Sequence, residues 1–320
     1  MTETTAITVR DRAELAREDI LDAFAAFLRL NVAQGDASPE TVRSYHAHAA
    51  QFVGWCDDHG LDPAMANEED LERYRADLVA EGYGRGTISV KLSVVRRLYE
   101  AATWRGLRPD NPAAGLKAPK ERGTRADRVK YLPLAGFREL LNAPNKTTAK
   151  GKRDRAILAL LGYHGLRVSE VARLEIDGLH LGDPAWLTVT GKGAKTRQVY
   201  LTTKTKKTLE TWLAVRPAGG GHRRVFVTLD KRTGGEPLSG RSIRRMVDAH
   251  LEALGLKEDG LSCHSLRHSF ATWSLAGGAK LEAIQDALGH SSVETTQVYA
   301  KIVDKMTENP TTFLEKLLSG

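Results

Sequence analysis

Between Arg108 and Lys130 the sequence RPDNPAAGLKAPKERGTRADRVK breaks a helical patterning that runs on both sides of it. Pro109, Pro112 and Pro119 fix their own φ and lack backbone donors, so neither a continuous helix nor an inner strand can pass through. With 320 residues and such a break, the chain is expected to fold as two bodies, on the prior of about 150 residues per domain. Each body is then long enough to bury its own core. The expected boundaries are a tail over 1–16, a helical domain over 17–115, a basic extended linker over 116–131 and a second domain over 132–320.

The first body reads as four helices. One runs from Arg17 to Val32, with Ile20, Leu21, Phe24, Phe27 and Leu28 on one face. The second has Ser38 as N-cap and Pro39 at the first helical position, then Val42, Tyr45, Ala49, Phe52, Val53 and Cys56 at helical spacing. Asn67 caps a third that carries Leu71, Tyr74 and Leu78, and a fourth from Thr87 repeats Ile88, Leu92, Val95, Leu98, Tyr99 and Ala102.

Past Leu134 the helical pattern resumes, through FRELLNAP and RDRAILALLGYHG. Trp186–Thr190 and Gln198–Leu201 alternate like strands around GKGAKT, which predicts a hairpin. Further helices are expected over Lys204–Val215, Ser242–Leu254, His264–Ala276, Leu281–Leu288 and Thr311–Leu318. The expected fold class is mainly α with a small antiparallel sheet.

Charge is uneven along the chain. The net is −10 over residues 1–84, +6 over 85–120 and +11 over 121–320, giving +7 in all. A basic belt therefore begins inside the first body and favours a polyanionic partner, and a basic linker can either wrap a duplex or remain solvated. The longest apolar runs, Ala23–Leu28 and Ala156–Leu161, have six residues, against about 20 for a membrane-spanning helix. No membrane partner is expected. MTETTAITVRDRAELARED has no apolar segment of a secretory signal, and the only cysteines, Cys56 and Cys263, fall in different bodies. Two reduced buried thiols in a cytoplasmic protein are expected.

HSLRH brings His264, Arg267 and His268 within one helical turn, so His264 and Arg267 can address one target. The histidine pair lacks the glutamate of HExxH and a third ligand, which disfavours zinc. Arg167 follows a helix-ending Gly165 at a joint between helices, and Lys192 lies at the hairpin tip. Gly289 marks a helix end, His290 the turn after it, and Tyr299 is expected near the end of another short helix. GKGAKT lacks the Walker A order, since Ala194 precedes Lys195-Thr196 and a strand follows. The loop Gly219–Arg224 suits backbone-phosphate contact rather than a nucleotide cradle.

GLRVSEV, TGKGAKTR, HSLRHSFAT, LGH and TTQVY stand in the order of the tyrosine recombinases, with gaps of 25, 72, 3, 23 and 9 residues along Arg167, Lys192, His264, Arg267, His290 and Tyr299. Over about residues 15–320 the chain resembles the Xer-type, phage-integrase and transposon branch of that family. The resemblance implies an N-terminal SAM-like core-binding domain and an α+β catalytic domain. It also implies site-specific cleavage and rejoining of duplex DNA through a 3′-phosphotyrosyl intermediate.

The residue types suit that chemistry. Attack of a hydroxyl on a phosphodiester places extra charge on the non-bridging oxygens, and Arg167 and Arg267 can each offer those oxygens a planar fork that stays charged. Tyr299 has the nucleophilic hydroxyl; the resemblance assigns His264 as its base, able also to hydrogen-bond a phosphate oxygen, Lys192 as general acid and His290 as a further donor. Lys195 lies three residues past Lys192, which is preferred because it follows the strand directly in Gly-Lys-Gly. The phosphotyrosyl bond conserves the phosphodiester energy, so no cofactor is expected, neither ATP nor metal.

In the first domain the resemblance assigns DNA contact to the second and fourth helices, where Arg43, Lys91, Arg96 and Arg97 are candidates, although a solvated helix face accounts for the same residues. It further implies inverted-repeat sites and a homotetramer on DNA, or a heterotetramer with a related recombinase. The segment TTFLEKLLSG, with Phe313, Leu314, Leu317 and Leu318 on one face, is similar to the family's docking helix and can also pack in cis. The short stretch before the first helix leaves no room for the arm-site domain of some phage integrases, which leans towards Xer-like resolution or a mobile element. A type IB topoisomerase and a non-enzymatic DNA-binding regulator are the alternatives.

Overall fold

The computed structural model describes residues 9–31, 39–120, 123–191, 196–218, 222–230, 234–289, 293–307 and Leu318. Ser38, Lys192, Lys195, the glycines of the 219–221 loop, His290 and the apolar face at Phe313, Leu314 and Leu317 lie outside those residues. The chain divides into two compact units, 1–122 and 123–320.

The first unit is built on helices α1 (Val9–Asn31), α2 (Pro39–Asp58), α3 (Glu68–Ala80) and α4 (Arg85–Trp104). Helix α1 begins earlier than Arg17, because RDRAELARED holds strong helix formers and no breaker. Asn67 caps α3 as expected: its side chain accepts from the Asp70 N–H and the Asp70 carboxylate accepts from the Asn67 N–H. The apolar faces converge on a shared core in which Phe52 meets Tyr74 and Tyr99 edge-on, with ring centres 5.0 and 6.0 Å apart.

The start of the proline-rich stretch after α4 is tied to the first unit. The Arg108 guanidinium donates to the carbonyls of Ala64 and Ala66 and lies over the Tyr99 ring, while Arg96 donates to the carbonyls of Ala113 and Leu116. Ala113 and Leu116 are buried in the same core. Side-chain donors thus satisfy a backbone that no helix or strand satisfies, and the segment packs on the first unit. A four-residue helix, α5 (Arg125–Arg128), follows at the start of the second unit.

The second unit continues with α6 (Leu134–Asn142), α7 (Ala149–Tyr163) and α8 (Val168–Arg173). An antiparallel sheet of β1 (Leu179–His180), β2 (Trp186–Thr190) and β3 (Thr196–Tyr200) follows, in the order β1-β2-β3, with Trp186 opposite Tyr200 and Thr190 opposite Thr196. Then come α9 (Thr203–Leu213), α10 (Gly240–Ala253), α11 (Cys263–Ala276), α12 (Leu281–Leu288) and α13 (Val293–Thr307).

Every residue of the apolar run Ala156–Leu161 is buried, so α7 is the central helix of this unit rather than a surface one. Around it pack Leu187 and Val189 of β2, Trp212 of α9, Val247 of α10 and Leu266 of α11. A smaller cluster joins α11, α12 and α13 through Ala271, Ile284, Leu288, Val298, Tyr299 and Ile302. Helix α13 is longer than the short helix expected: VETTQVYAKIVDKMT contains no glycine or proline, so Tyr299 stands in mid-helix rather than near the end. Both cysteines are free and buried, and desolvation pushes each thiol up to about 12.

Candidate active site

Helix α7 ends at a turn that only glycine fits. Gly165 has φ +60°, and a Cβ there would stand 2.5 Å from the Phe270 ring and 2.7 Å from Leu288 Cδ2. The chain then passes through Leu166 to Arg167, whose backbone is extended, and enters α8. Glu170, in the first turn of α8, accepts the Arg167 N–H at 2.8 Å and the Arg167 Nη1 at 3.1 Å. The same carboxylate accepts Arg197 Nη1 at 2.8 Å and Nη2 at 3.2 Å from β3.

Glu170 is 3 % exposed. Burial by itself would raise its pKa, but the hydrogen bonds from Arg197 and the Arg167 backbone, with the charges of both guanidiniums, hold the carboxyl below its usual range. One buried anion therefore orients two cations. Arg197 is also tied to α12: its Nε donates to the Ala287 carbonyl, and its guanidinium packs where a Cβ on Gly289 would stand, 3.2 Å away.

Arg267 comes from α11 and is almost fully buried, and each of its terminal nitrogens donates one hydrogen bond to main chain: Nη1 to the Gly165 carbonyl and Nη2 to the Leu288 carbonyl, each at 2.6 Å. Leu288 ends α12, so its carbonyl carries the negative end of a helix dipole. Arg167 Nη1 approaches the same oxygen at 3.5 Å. Desolvation and the neighbouring Arg167 lower Arg267 to about 10, which leaves it cationic at neutral pH.

A cleft of about 220 Å³ is lined by Arg167, Ser169, Arg244, Ser262, His264 and Arg267, among others. His264, in the first turn of α11, is exposed at this cleft, and desolvation together with Arg267 and Arg167 lowers its pKa. The arrangement presents guanidiniums and an imidazole around a space open to an anion, a donor set suited to a phosphodiester whose phosphorus becomes pentacoordinate in the transition state.

Arg167, His264 and Arg267 are thus brought together as expected. Tyr299 does not line the cleft. It is 3 % exposed, and its hydroxyl lies 2.8 Å from His268 Nδ1, on the helix that carries His264 and Arg267. Sequence reasoning left Glu170, Arg197 and His268 without roles and passed over Arg244. The signals available were the i, i+3 spacing of Arg167 and Glu170 and the i, i+4 spacing of His264 and His268.

In the first unit, the Lys91 side chain is buried: its Nζ donates to Gln51 Oε1 and lies over the Tyr83 ring, and desolvation lowers its pKa. Arg96 directs its donors to Ala113 and Leu116. Arg43 and Arg97 remain at the surface, in i, i+3 ion pairs with Glu40 and Glu100.

Residues 130–306 match the phage integrase family, and residues 21–106 match the phage integrase N-terminal SAM-like domain. The chain belongs to the phage integrase family and is a site-specific tyrosine recombinase, an enzyme that breaks and rejoins DNA. Among its relatives, the tyrosine recombinase XerC of Rhodospirillum centenum is 38 % identical over 83 % of this chain and 78 % of its own length. XerC of Pelotomaculum thermopropionicum is 32 % identical over 88 % and 93 %, and XerD of Caulobacter vibrioides is 32 % identical over 87 % and 90 %. The XerH recombinase bound to its palindromic difH substrate shares the fold at a TM-score of 0.76 and 18 % identity, covering 94 % of this chain and 97 % of that one. Residues 75–356 of lambda integrase, a dimer on a COC′ core site, share it at 0.66 and 19 %, over 86 % and 95 %. No described helix is long and apolar enough to cross a membrane.

Proposed function

We propose that this recombinase acts in Xer-like resolution, in the cytoplasm, on paired sites built from inverted half-sites, and that four copies assemble on the DNA. XerC and XerD relatives matching most of the chain support an Xer-like reading. The working domains in this reading are the core-binding helices over 17–115 and the catalytic domain over 132–320, joined by 116–131. Arg43 and Arg97 are its surface candidates for phosphate contact.

In the reaction, Arg167 and Arg267 hold the non-bridging oxygens of the scissile phosphate and His264 donates a hydrogen bond to one of them. Tyr299 attacks phosphorus and forms the 3′-phosphotyrosyl bond. The 5′ oxygen leaves with a proton from Lys192, and His290 adds a donor to the phosphate. The single observation that carries this reading is the convergence of Arg167, His264 and Arg267 on one cleft, with Arg267 fixed by two main-chain carbonyls.

The test begins with inverted half-sites, about one helical turn each, selected from a random duplex pool by the chain itself. On a nicked version of that duplex the wild-type chain is expected to form an SDS-stable covalent complex. Tyr299→Phe is expected to bind equally well and form none; an adduct in that variant would refute the assignment of the nucleophile.

A further inference from the structure

A phenol with a free pKa of about 10 is almost wholly protonated at neutral pH, so attack by Tyr299 requires a base within hydrogen-bond reach, about 2.6–3.2 Å. His268 Nδ1 meets that requirement at 2.8 Å from the Tyr299 hydroxyl. Tyr299 packs among Ala271, Ile284, Leu288, Val298 and Ile302, and its 3 % exposure keeps bulk water from serving as the acceptor.

His264 stands one turn away on the same helix, its ring edge-on to that of His268 with centres 4.6 Å apart. It faces the cleft beside Arg167 and Arg267. The two histidines therefore address different partners: His264 the phosphate, His268 the nucleophile.

We propose that His268 is the general base for Tyr299, a deepening that rests on the recombinase mechanism given above. As Tyr299 Oη bonds to phosphorus, its proton passes to His268 Nδ1 and leaves an imidazolium. The bond from phosphorus to the 5′ oxygen breaks, and that oxygen takes a proton from the general acid. On rejoining, the incoming 5′ hydroxyl returns its proton to that acid, and Tyr299 Oη leaves with the proton from His268. For this cycle the resting imidazole carries its hydrogen on Nε2. Among the described residues, the titratable groups whose rings meet that of His268 include His264 on its own helix and Tyr299 on α13, with Arg267 adjacent in sequence and donating to the Gly165 and Leu288 carbonyls.

Single-turnover covalent-complex formation on the selected nicked duplex decides the matter, read from pH 6 to about 9.5 so that the range approaches the phenol's own pKa. His268→Asn places an amide where Nδ1 stands and keeps a hydrogen bond, but it cannot take a proton. Its adduct rate at pH 7 is expected to fall about 10²-fold, with DNA affinity unchanged and the rate climbing steadily with pH as the phenol ionises unaided. His268→Ala is expected to fall as far and to recover with added imidazole. A His268→Asn rate within threefold of wild type, or a lowered profile parallel to the wild-type one, would overturn the proposal and leave His268 a positioning residue. An adduct persisting in Tyr299→Phe would instead overturn the nucleophile on which it rests.

Discussion

Glu170 is the keystone of the cation arrangement, and Glu170→Gln tests this with almost no change in shape. The carboxylate accepts four hydrogen bonds from Arg167 and Arg197. An amide supplies one acceptor oxygen, so two of those bonds are lost and an N–H₂ group faces guanidinium donors. Removing one partner of a buried ion pair costs about 3–5 kcal/mol. The side chains of Arg167 and Arg197 are 38 % and 19 % exposed and can regain water, which brings the expected loss below that range, to about 2–3 kcal/mol. For a body the size of the second unit that is a fall of roughly 4–12 °C in Tm.

The pH dependence has a definite sign. The folded-state pKa of Glu170 is depressed, so its stabilisation is present above the unfolded value, about 4.3, and is lost as pH falls through the lower folded value. The gap in Tm between wild type and Glu170→Gln is expected to be constant from pH 7 to 5 and to shrink below about pH 4. Differential scanning calorimetry across that range measures it. A variant within 1 °C of wild type at pH 7 would refute the reasoning, as would a gap that stays constant down to pH 3.

Gly165→Ala combines a left-handed backbone, costing about 1–2 kcal/mol for an L residue, with overpacking of about 1–3 kcal/mol against Phe270 and Leu288. A shift in urea midpoint corresponding to about 2–5 kcal/mol is expected, together with slower DNA cleavage, because the same residue supplies a carbonyl to Arg267. Lys192→Ala is expected to be slow on ordinary DNA and to recover on a substrate with a bridging 5′ sulfur, whose leaving group needs no proton. Absence of recovery would remove Lys192 from the general-acid role.

Much of this architecture is legible locally. Pro39 at the start of α2, the Asn67 cap and the i, i+3, i+4 apolar faces are short-range signals, and the corresponding helices stand where those signals put them. The hairpin strands were equally readable from alternation at Trp186–Thr190. What escaped was long-range. Arg108 reaches carbonyls of Ala64 and Ala66, more than forty positions back, and no local pattern announces that a proline-rich basic stretch will be held in this way. Lys91 reads as a solvent-facing cation until the fold brings Gln51 and Tyr83 around it.

The site divides along the same line. Arg167, His264 and Arg267 are legible by residue type and order in the GLR and HSLR motifs. Glu170, Arg197 and His268 meet other side chains of the site across long separations, 27 positions between Glu170 and Arg197 and 31 between His268 and Tyr299. Such residues become visible only when α8, β3, α11 and α13 are assembled.

The clamp on Arg267 is written in main chain. A carbonyl oxygen belongs to every residue type, so the group that grips Arg267 at position 288 survives any substitution there that keeps α12 packed and ended in place. The same freedom does not extend to position 165, where the turn admits no side chain. Mutational drift in this chain is therefore expected to be asymmetric around one guanidinium: permissive on the α12 side, where backbone course alone is inherited, and closed on the α7 side, where a single hydrogen in place of a side chain keeps the path open.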